Sequence, residues 1–181
     1  TAPHHPLYAR WVGIKYDLTL RHPDYTILEY IESSGTQWID TGFVDTKGIR
    51  AVYKAEFLNT TGGYIVGSHN LSSPYGRNGA YWSSRTQWEF GYGETCPGVG
   101  SGTTNTVYEV DFKTTKTDAY LKVKGGNYFS WTTLTTGSGE TISSYNNLLF
   151  YNQYSKNNGS STTFAKVYYI KIYDSNGTLV R

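Results

Sequence analysis

From Tyr25 to the C-terminus, apolar and polar residues alternate with a period of two in short segments. Between residues 49 and 58, Ile49, Ala51, Tyr53, Ala55 and Phe57 fall on one side, and Arg50, Val52, Lys54, Glu56 and Leu58 on the other. Between 106 and 113, Tyr108, Val110 and Phe112 oppose Val107, Glu109, Asp111 and Lys113. Between 163 and 174, Tyr168, Ile170 and Ile172 oppose Val167, Tyr169, Lys171 and Tyr173. This period places successive side chains on opposite faces of a strand with one face buried. The pattern predicts strands at 26–32, 37–43, 49–58, 63–68, 79–84, 86–92, 106–113, 117–124, 127–132, 147–153 and 163–174, with a closing piece at 178–180. Thr61-Gly62-Gly63, Gly125-Gly126-Asn127, Gly137-Ser138-Gly139, Asn157-Asn158-Gly159 and Asn176-Gly177 separate them as turns. No window carries sustained helical spacing with caps. The expected fold is all-β: a two-sheet antiparallel β-sandwich closed as a jelly roll over residues 26–181.

One stretch is more specific than its periodicity. Residues 28–43 read Leu-Glu-Tyr-Ile-Glu-Ser-Ser-Gly-Thr-Gln-Trp-Ile-Asp-Thr-Gly-Phe, two short strands around Ser33-Ser34-Gly35. This wording resembles the opening of a laminin-G-like, concanavalin A-like lectin/glucanase domain of bacterial surface and phage tail proteins. Further pieces agree in order: GYIVGSHN at 63–70, NNLLFYNQ at 146–153 and AKVYYIKIYDSNGTLVR at 165–181. The resemblance implies a concanavalin A-like sandwich that binds rather than catalyses, and it leaves the ligand open.

Residues 1–25 differ in composition, holding Pro3, Pro6 and Pro23 and three of the four histidines, His4, His5 and His22. Leu7-Tyr8-Ala9-Arg10-Trp11 resembles the last strand of a Listeria–Bacteroides type repeat, a small β module found in tandem on bacterial surface proteins. The resemblance implies that 1–25 are the end of an upstream repeat module plus a linker, with Ile14, Tyr16, Leu18 and Leu20 alternating as a strand leading in. The chain starts at Thr1 and contains no methionine, as expected of a piece excised from a longer protein with covalently linked neighbouring domains.

Composition narrows the function classes. Charged residues make up 17% of the chain and the net charge is +2, so no strong field argues for nucleic acid or an anionic membrane surface. No apolar run reaches the roughly 18 residues of a membrane-inserting span. The single cysteine, Cys96, excludes an internal disulfide. The resemblance implies an extracellular protein, secreted or held at the cell surface. Eighteen Tyr and five Trp suit both pleated strands and a binding surface, since each ring has an apolar face and a polar edge.

Glycoside hydrolases of the laminarinase type, which share this superfamily, carry Glu-x-Asp-x-Glu on one strand. Here Glu109-Val110-Asp111-Phe112-Lys113 offers two carboxylates at that spacing and a lysine in the third place. Retaining hydrolysis needs two carboxyl groups in defined roles, and a lysine does not supply a proton near neutral pH without a large pKa shift. The expectation is a local charge cluster and no catalytic residue. His69 is expected as a solvated turn residue. No cofactor is expected, although related sandwiches hold Ca²⁺ on loop carbonyls and an aspartate, for which Asp40, Asp45 and Asp174 are candidates.

The binding reading rests on aromatic residues in polar surroundings. Residues 73–92 are richest, with Tyr75 between Pro74 and Gly76, Arg77 two residues on, and Trp82 and Trp88 beyond. Sugars present apolar C–H faces to such rings and hydroxyls to Arg, Asn and Gln. The candidate glycan-binding residues are Tyr75, Arg77, Trp82 and Trp131, while Trp88 and Phe90 are expected in the core. A glycan or cell-surface polysaccharide is the expected partner. A structural spacer or protein-interaction domain remains the alternative of a different class, followed by an altered relative of the hydrolases.

Overall fold

The computed structural model describes residues 29–45, 47–60, 62–70, 76–83, 86–93, 96–138, 145–151, 153–155, 158–160 and 163–181. The expectations for a repeat-like tail at 7–11 and a strand at 12–25 lie outside the described residues. Strands are numbered in chain order. One antiparallel sheet runs β1 (Ile31–Ser34), β14 (Phe164–Tyr173), β3 (Arg50–Phe57), β8 (Val107–Thr115), β9 (Asp118–Gly125), β10 (Tyr128–Gly137). The second runs β13 (Asn158–Ser160), β12 (Gln153–Ser155), β4 (Gly63–Asn70), β5 (Gly76–Trp82), β6 (Gln87–Gly93), β7 (Gly98–Ser101); β11 (Tyr145–Tyr151) joins β4 to β2 (Ile39–Asp45). The described residues contain no helix.

Period two determines the inner face of the first sheet. Ile49, Ala51, Tyr53, Ala55 and Phe57 are all buried. Register places Ala51 opposite Phe112 and Phe112 opposite Leu121, with Tyr53, Val110 and Val123 in the next row. Ala80, Trp82, Trp88 and Phe90 cover these rows from the second sheet. Each large apolar side chain removed from water contributes roughly 1.5–3 kcal/mol. The outward positions of β3, β8 and β9 hold the charges, as expected.

Several expectations change, among them the turn at Asn157-Asn158-Gly159, where Asn158 and Gly159 pair with β12 as strand β13. The 163–174 pattern does not run uninterrupted. A β-bulge between Val167 and Tyr169 leaves Tyr168 as an extra residue on β14. Val167 is buried with the core, and Ile170 and Ile172 lie opposite Tyr53 and Ala51. Tyr168 faces outward, donating from its hydroxyl to Glu56 at 3.2 Å beneath the Lys54 ammonium. A bulge shifts the parity of every residue beyond it, which periodicity alone does not reveal. In addition, 98–101 forms β7, a strand hidden by its glycines. A Cβ at Gly98 would approach Gln87 Nε2 to 2.5 Å and one at Gly100 would approach the Tyr128 hydroxyl to 2.8 Å. Close packing therefore requires the residues that lower strand propensity.

The 28–43 motif works as a crossing between layers. β1 pairs with β14 in one sheet and β2 pairs with β11 in the other, so the two halves of the motif do not pair with each other. Gln37 Oε1 accepts from the Ser34 amide at 2.9 Å, and the Gly35 amide donates to Ser33 Oγ at 3.2 Å. Gly35 has φ +89°, and a side chain there would collide with the Phe164 ring. The expected closing strand at 178–180 is a single bridge, Tyr173 to Leu179, turned by Asp174 Oδ1 accepting the Asn176 and Thr178 amides at 2.9 and 2.8 Å.

Trp82 supplies a stability test. Its ring stacks on Phe57 at 4.9 Å and meets Trp88 edge-on at 5.2 Å. Trp82→Ala should lower the unfolding free energy by ~3–5 kcal/mol, read from urea denaturation, while retaining a β-type far-ultraviolet dichroism spectrum.

Candidate functional site

Of the expected binding residues, Trp82 and Trp131 have described side chains, and the two do not share a surface. Trp82 is corrected to a core residue: it is 1% exposed, its indole N–H donates to the Asn59 carbonyl at 3.3 Å, and it has no free ring face. Alternation on β5 puts it on the inner side, opposite Trp88. Tyr75 lies outside the described residues. Arg77 belongs to β5 opposite Gly93 and His69, and only its backbone is described. Trp131 is 44% exposed on β10. His69 is buried within β4 with its ring 6.2 Å from Tyr64, which corrects the expectation of a solvated turn residue.

β10 presents the described surface best suited to recognition. Among the described residues it is the edge of the first sheet, and it carries two exposed rings, Phe129 at 96% and Trp131 at 44% exposure. Its sequence, Tyr-Phe-Ser-Trp-Thr-Thr-Leu-Thr-Thr-Gly, has no charged residue. The hairpin from β9 turns at Gly125-Gly126, with φ +120° and +55°, and a Cβ on Gly126 would press against Tyr108. Tyr128 is the inward anchor: its hydroxyl donates to the Ser101 carbonyl of β7 at 2.8 Å, and burial raises its pKa. Leu134 packs on the core from the same strand. Between those anchors, Tyr128 pairs with Gly125 and Thr132 with Val123, so β10 has two more residues than β9 over that interval. Phe129, Ser130 and Trp131 are the bulged segment, and all three are exposed. Phe129 was not singled out from sequence; the available signal was an aromatic residue two positions after a Gly-Gly-Asn turn, on a segment without charges.

The carboxylates of β8 lie on the outer face of the first sheet among cations. Arg50 donates from Nε and one Nη to the two oxygens of Asp111 at 2.9 and 2.8 Å, and the Tyr120 hydroxyl donates to the same carboxylate at 3.1 Å. The bond to Asp111 raises the Arg50 pKa beyond its already high value. Lys124 approaches Glu109 at 3.4 Å, and Lys113, in the third carboxylate position, pairs with Asp118 at 2.7 Å. The expected charge cluster is therefore a ladder of neutralised pairs. Arg50 over Tyr173, Lys54 over Tyr168, Lys122 over Tyr120 and Lys166 over Tyr30 complete it at 4.7–5.3 Å from the ring centres.

Among the described residues, no three His, Cys, Asp or Glu side chains converge as a metal site. Asp40 Oδ1 accepts the Gly42 amide at 2.7 Å and Asp174 Oδ1 serves its own turn, so these calcium candidates act on local backbone. The side chain of Asp45 lies outside the description. Cys96 is half-buried, with Sγ 3.8 Å from Glu89 Oε2.

No protein-family profile matches the chain, and no curated protein matches it in sequence. Solved structures match in shape. The native heptameric SAP-like pentraxin from Limulus polyphemus aligns with TM-score 0.54 at 10% identity, covering 83% of this chain and 74% of that one. Trypanosoma rangeli sialidase in complex with sialic acid aligns with TM-score 0.53 at 12% identity, covering 87% of this chain and 27% of that one. The chain spans 21–27% of the length of the sialidase chains it matches. At such identities the likeness concerns the fold: a two-sheet, lectin-like β-sandwich.

The ladder carries a pH signature. Burial first, then the Asp111 charge, pushes the Tyr120 phenol up to about 12 from 10.0. A raised folded-state pKa gives stability that is fully present below about 10 and lost as pH rises through about 12. Denaturant midpoints measured from pH 8 upward should fall over that window, and Tyr120→Phe should fall less steeply.

Proposed function

We propose that this chain is a non-catalytic carbohydrate-binding or adhesion module of a multidomain bacterial surface or secreted protein. In this reading it is a laminin-G-like member of the concanavalin A-like group, acting outside the cell, with residues 1–25 as the end of an upstream repeat. The observation that carries the proposal is β10, an uncharged, bulged edge strand exposing Phe129 and Trp131 beside a row of threonine hydroxyls. Stacked rings supply apolar contact with sugar C–H faces, and hydroxyls supply neutral hydrogen bonds. A ring that hides ~50 Å² contributes ~1 kcal/mol, so two rings plus hydrogen bonds give a weak, multivalency-suited affinity. The lectin-like pentraxin fold is compatible with this reading.

The non-catalytic part rests on the pairs of β8. Both oxygens of Asp111 accept donors and Glu109 and Lys113 have partners of opposite charge, so no described carboxyl pair is left for acid and nucleophile roles there.

Two measurements test the proposal. On a glycan array, the chain should bind at least one carbohydrate, and Phe129→Ala and Trp131→Ala should each weaken binding about fivefold or more with melting temperature nearly unchanged. Binding unaffected by both changes would remove β10 from the site. Incubation with laminarin, lichenan, agarose, xylan and sialyllactose should release no reducing ends and no free sialic acid. Turnover abolished by Glu109→Gln would overturn the non-catalytic assignment.

A further inference from the structure

We propose that the β10 surface takes an uncharged, extended polysaccharide chain laid along the strand, and not a sugar recognised through a carboxylate, sulfate or phosphate. This rests on the reading of β10 as the glycan-binding surface and specifies the ligand class for it.

Charge is the first argument. From Tyr128 to Gly137 the polar side chains are Tyr128, Ser130, Thr132, Thr133, Thr135 and Thr136, all neutral. An anionic sugar desolvated against this strand would need a cation to replace lost water. Among the described residues, the cations of the adjoining strand β9 are already engaged. Lys122, opposite Thr133, lies 4.7 Å over the Tyr120 ring. Lys124 approaches Glu109 at 3.4 Å. One strand further in, Asp111 and Glu109 stand opposite Lys122 and Lys124, so an anion reaching for either ammonium meets a carboxylate behind it.

The backbone of β10 selects between a sugar chain and a protein strand. An edge strand of ten residues without Lys, Glu or Pro invites pairing with another strand. Pairing needs an unbroken row of amide and carbonyl groups. Register shifts between Tyr128 and Thr132 and between Thr133 and Thr135 interrupt that row twice. A polysaccharide needs no such ladder; it needs faces for its rings and partners for its hydroxyls. Phe129 and Trp131 stand two residues apart on one strand, and both rings are exposed. Thr133 and Thr136 continue the exposed surface toward Gly137. The rings and hydroxyls therefore follow one line, which fits consecutive sugars of a chain better than a single terminal residue in a pocket.

The test is calorimetry on the whole 181-residue chain. Laminarin and arabinoxylan serve as neutral chains; polygalacturonate, carrageenan and 3′-sialyllactose serve as acidic probes. The expected result is binding of a neutral chain that changes less than about twofold between about 50 and about 500 mM salt. It should fall about fivefold or more in Phe129→Ala and Trp131→Ala, and short oligomers of that chain should bind more weakly than long ones. Acidic-probe binding that is lost in the same variants and falls steeply with salt would overturn the ligand class while leaving β10 as the site. Binding unchanged in both variants would overturn the site itself, and binding of none of these probes would overturn the neutral-chain proposal. Light scattering supplies a separate arm: a dimer that becomes monomeric on Phe129→Ala or Trp131→Ala would assign the edge to a second copy instead. Both side chains are exposed, so unchanged melting temperatures would exclude misfolding as the cause of any loss.

Discussion

The sandwich depends on one aromatic junction between its layers. Phe57 and Tyr108 come from the first sheet, Trp82 and Trp88 from the second, and all four are buried. Phe57 stacks on Trp82 at 4.9 Å and takes Trp88 edge-on at 5.6 Å, while Tyr108 meets Trp88 edge-on at 5.3 Å. Tyr108 also holds the loop after β7, accepting the Thr103 amide at 2.9 Å and crowding Gly102 and Gly126. The junction thus sets the spacing of the layers and the position of the β9–β10 turn together. Rings of this size in edge-to-face contact stabilise beyond their buried area.

What the surface offers is governed by bulges. On β14 an extra residue turns Tyr168 outward, where it joins Lys54 and Glu56. On β10 extra residues release Phe129 and Trp131 to solvent while Tyr128 and Leu134 stay anchored on the inner side. The strand therefore keeps its place in the sheet through one set of side chains and presents another set to solvent.

The outer face of the first sheet has a different character. Its carboxylates and cations pair across strands and its tyrosines take ring and hydroxyl contacts with them, with the Arg50–Asp111 fork at the centre. Exposed pairs of this kind contribute little each to stability. Their consequence is electrostatic: among the described residues of this face, Asp111 is paired with Arg50, Glu109 with Lys124 and Glu56 with Lys166. The fold likeness to pentraxin and sialidase therefore leaves activity to be argued from side chains.

The all-β class, the inward rows of β3 and β8, and the turns at Gly125-Gly126 and Asn176-Gly177 were legible in the amino-acid order, because period two and glycine conformation are local properties, whereas Asn158 and Gly159, read as a turn, pair as strand β13. The charge cluster around Glu109 and Asp111 was legible for the same reason. The fate of Trp82 was not: one strand places Trp82 and Tyr81 on opposite faces, and only the partner sheet decides which face is covered. Nor was Phe129, since its exposure depends on a register shift against β9. The two halves of the 28–43 motif read as neighbouring strands, yet tertiary packing sends them to different sheets. Sequence by itself determined which residues alternate; tertiary structure decided which face each alternation buries and where a bulge reverses it, because register is a property of paired strands.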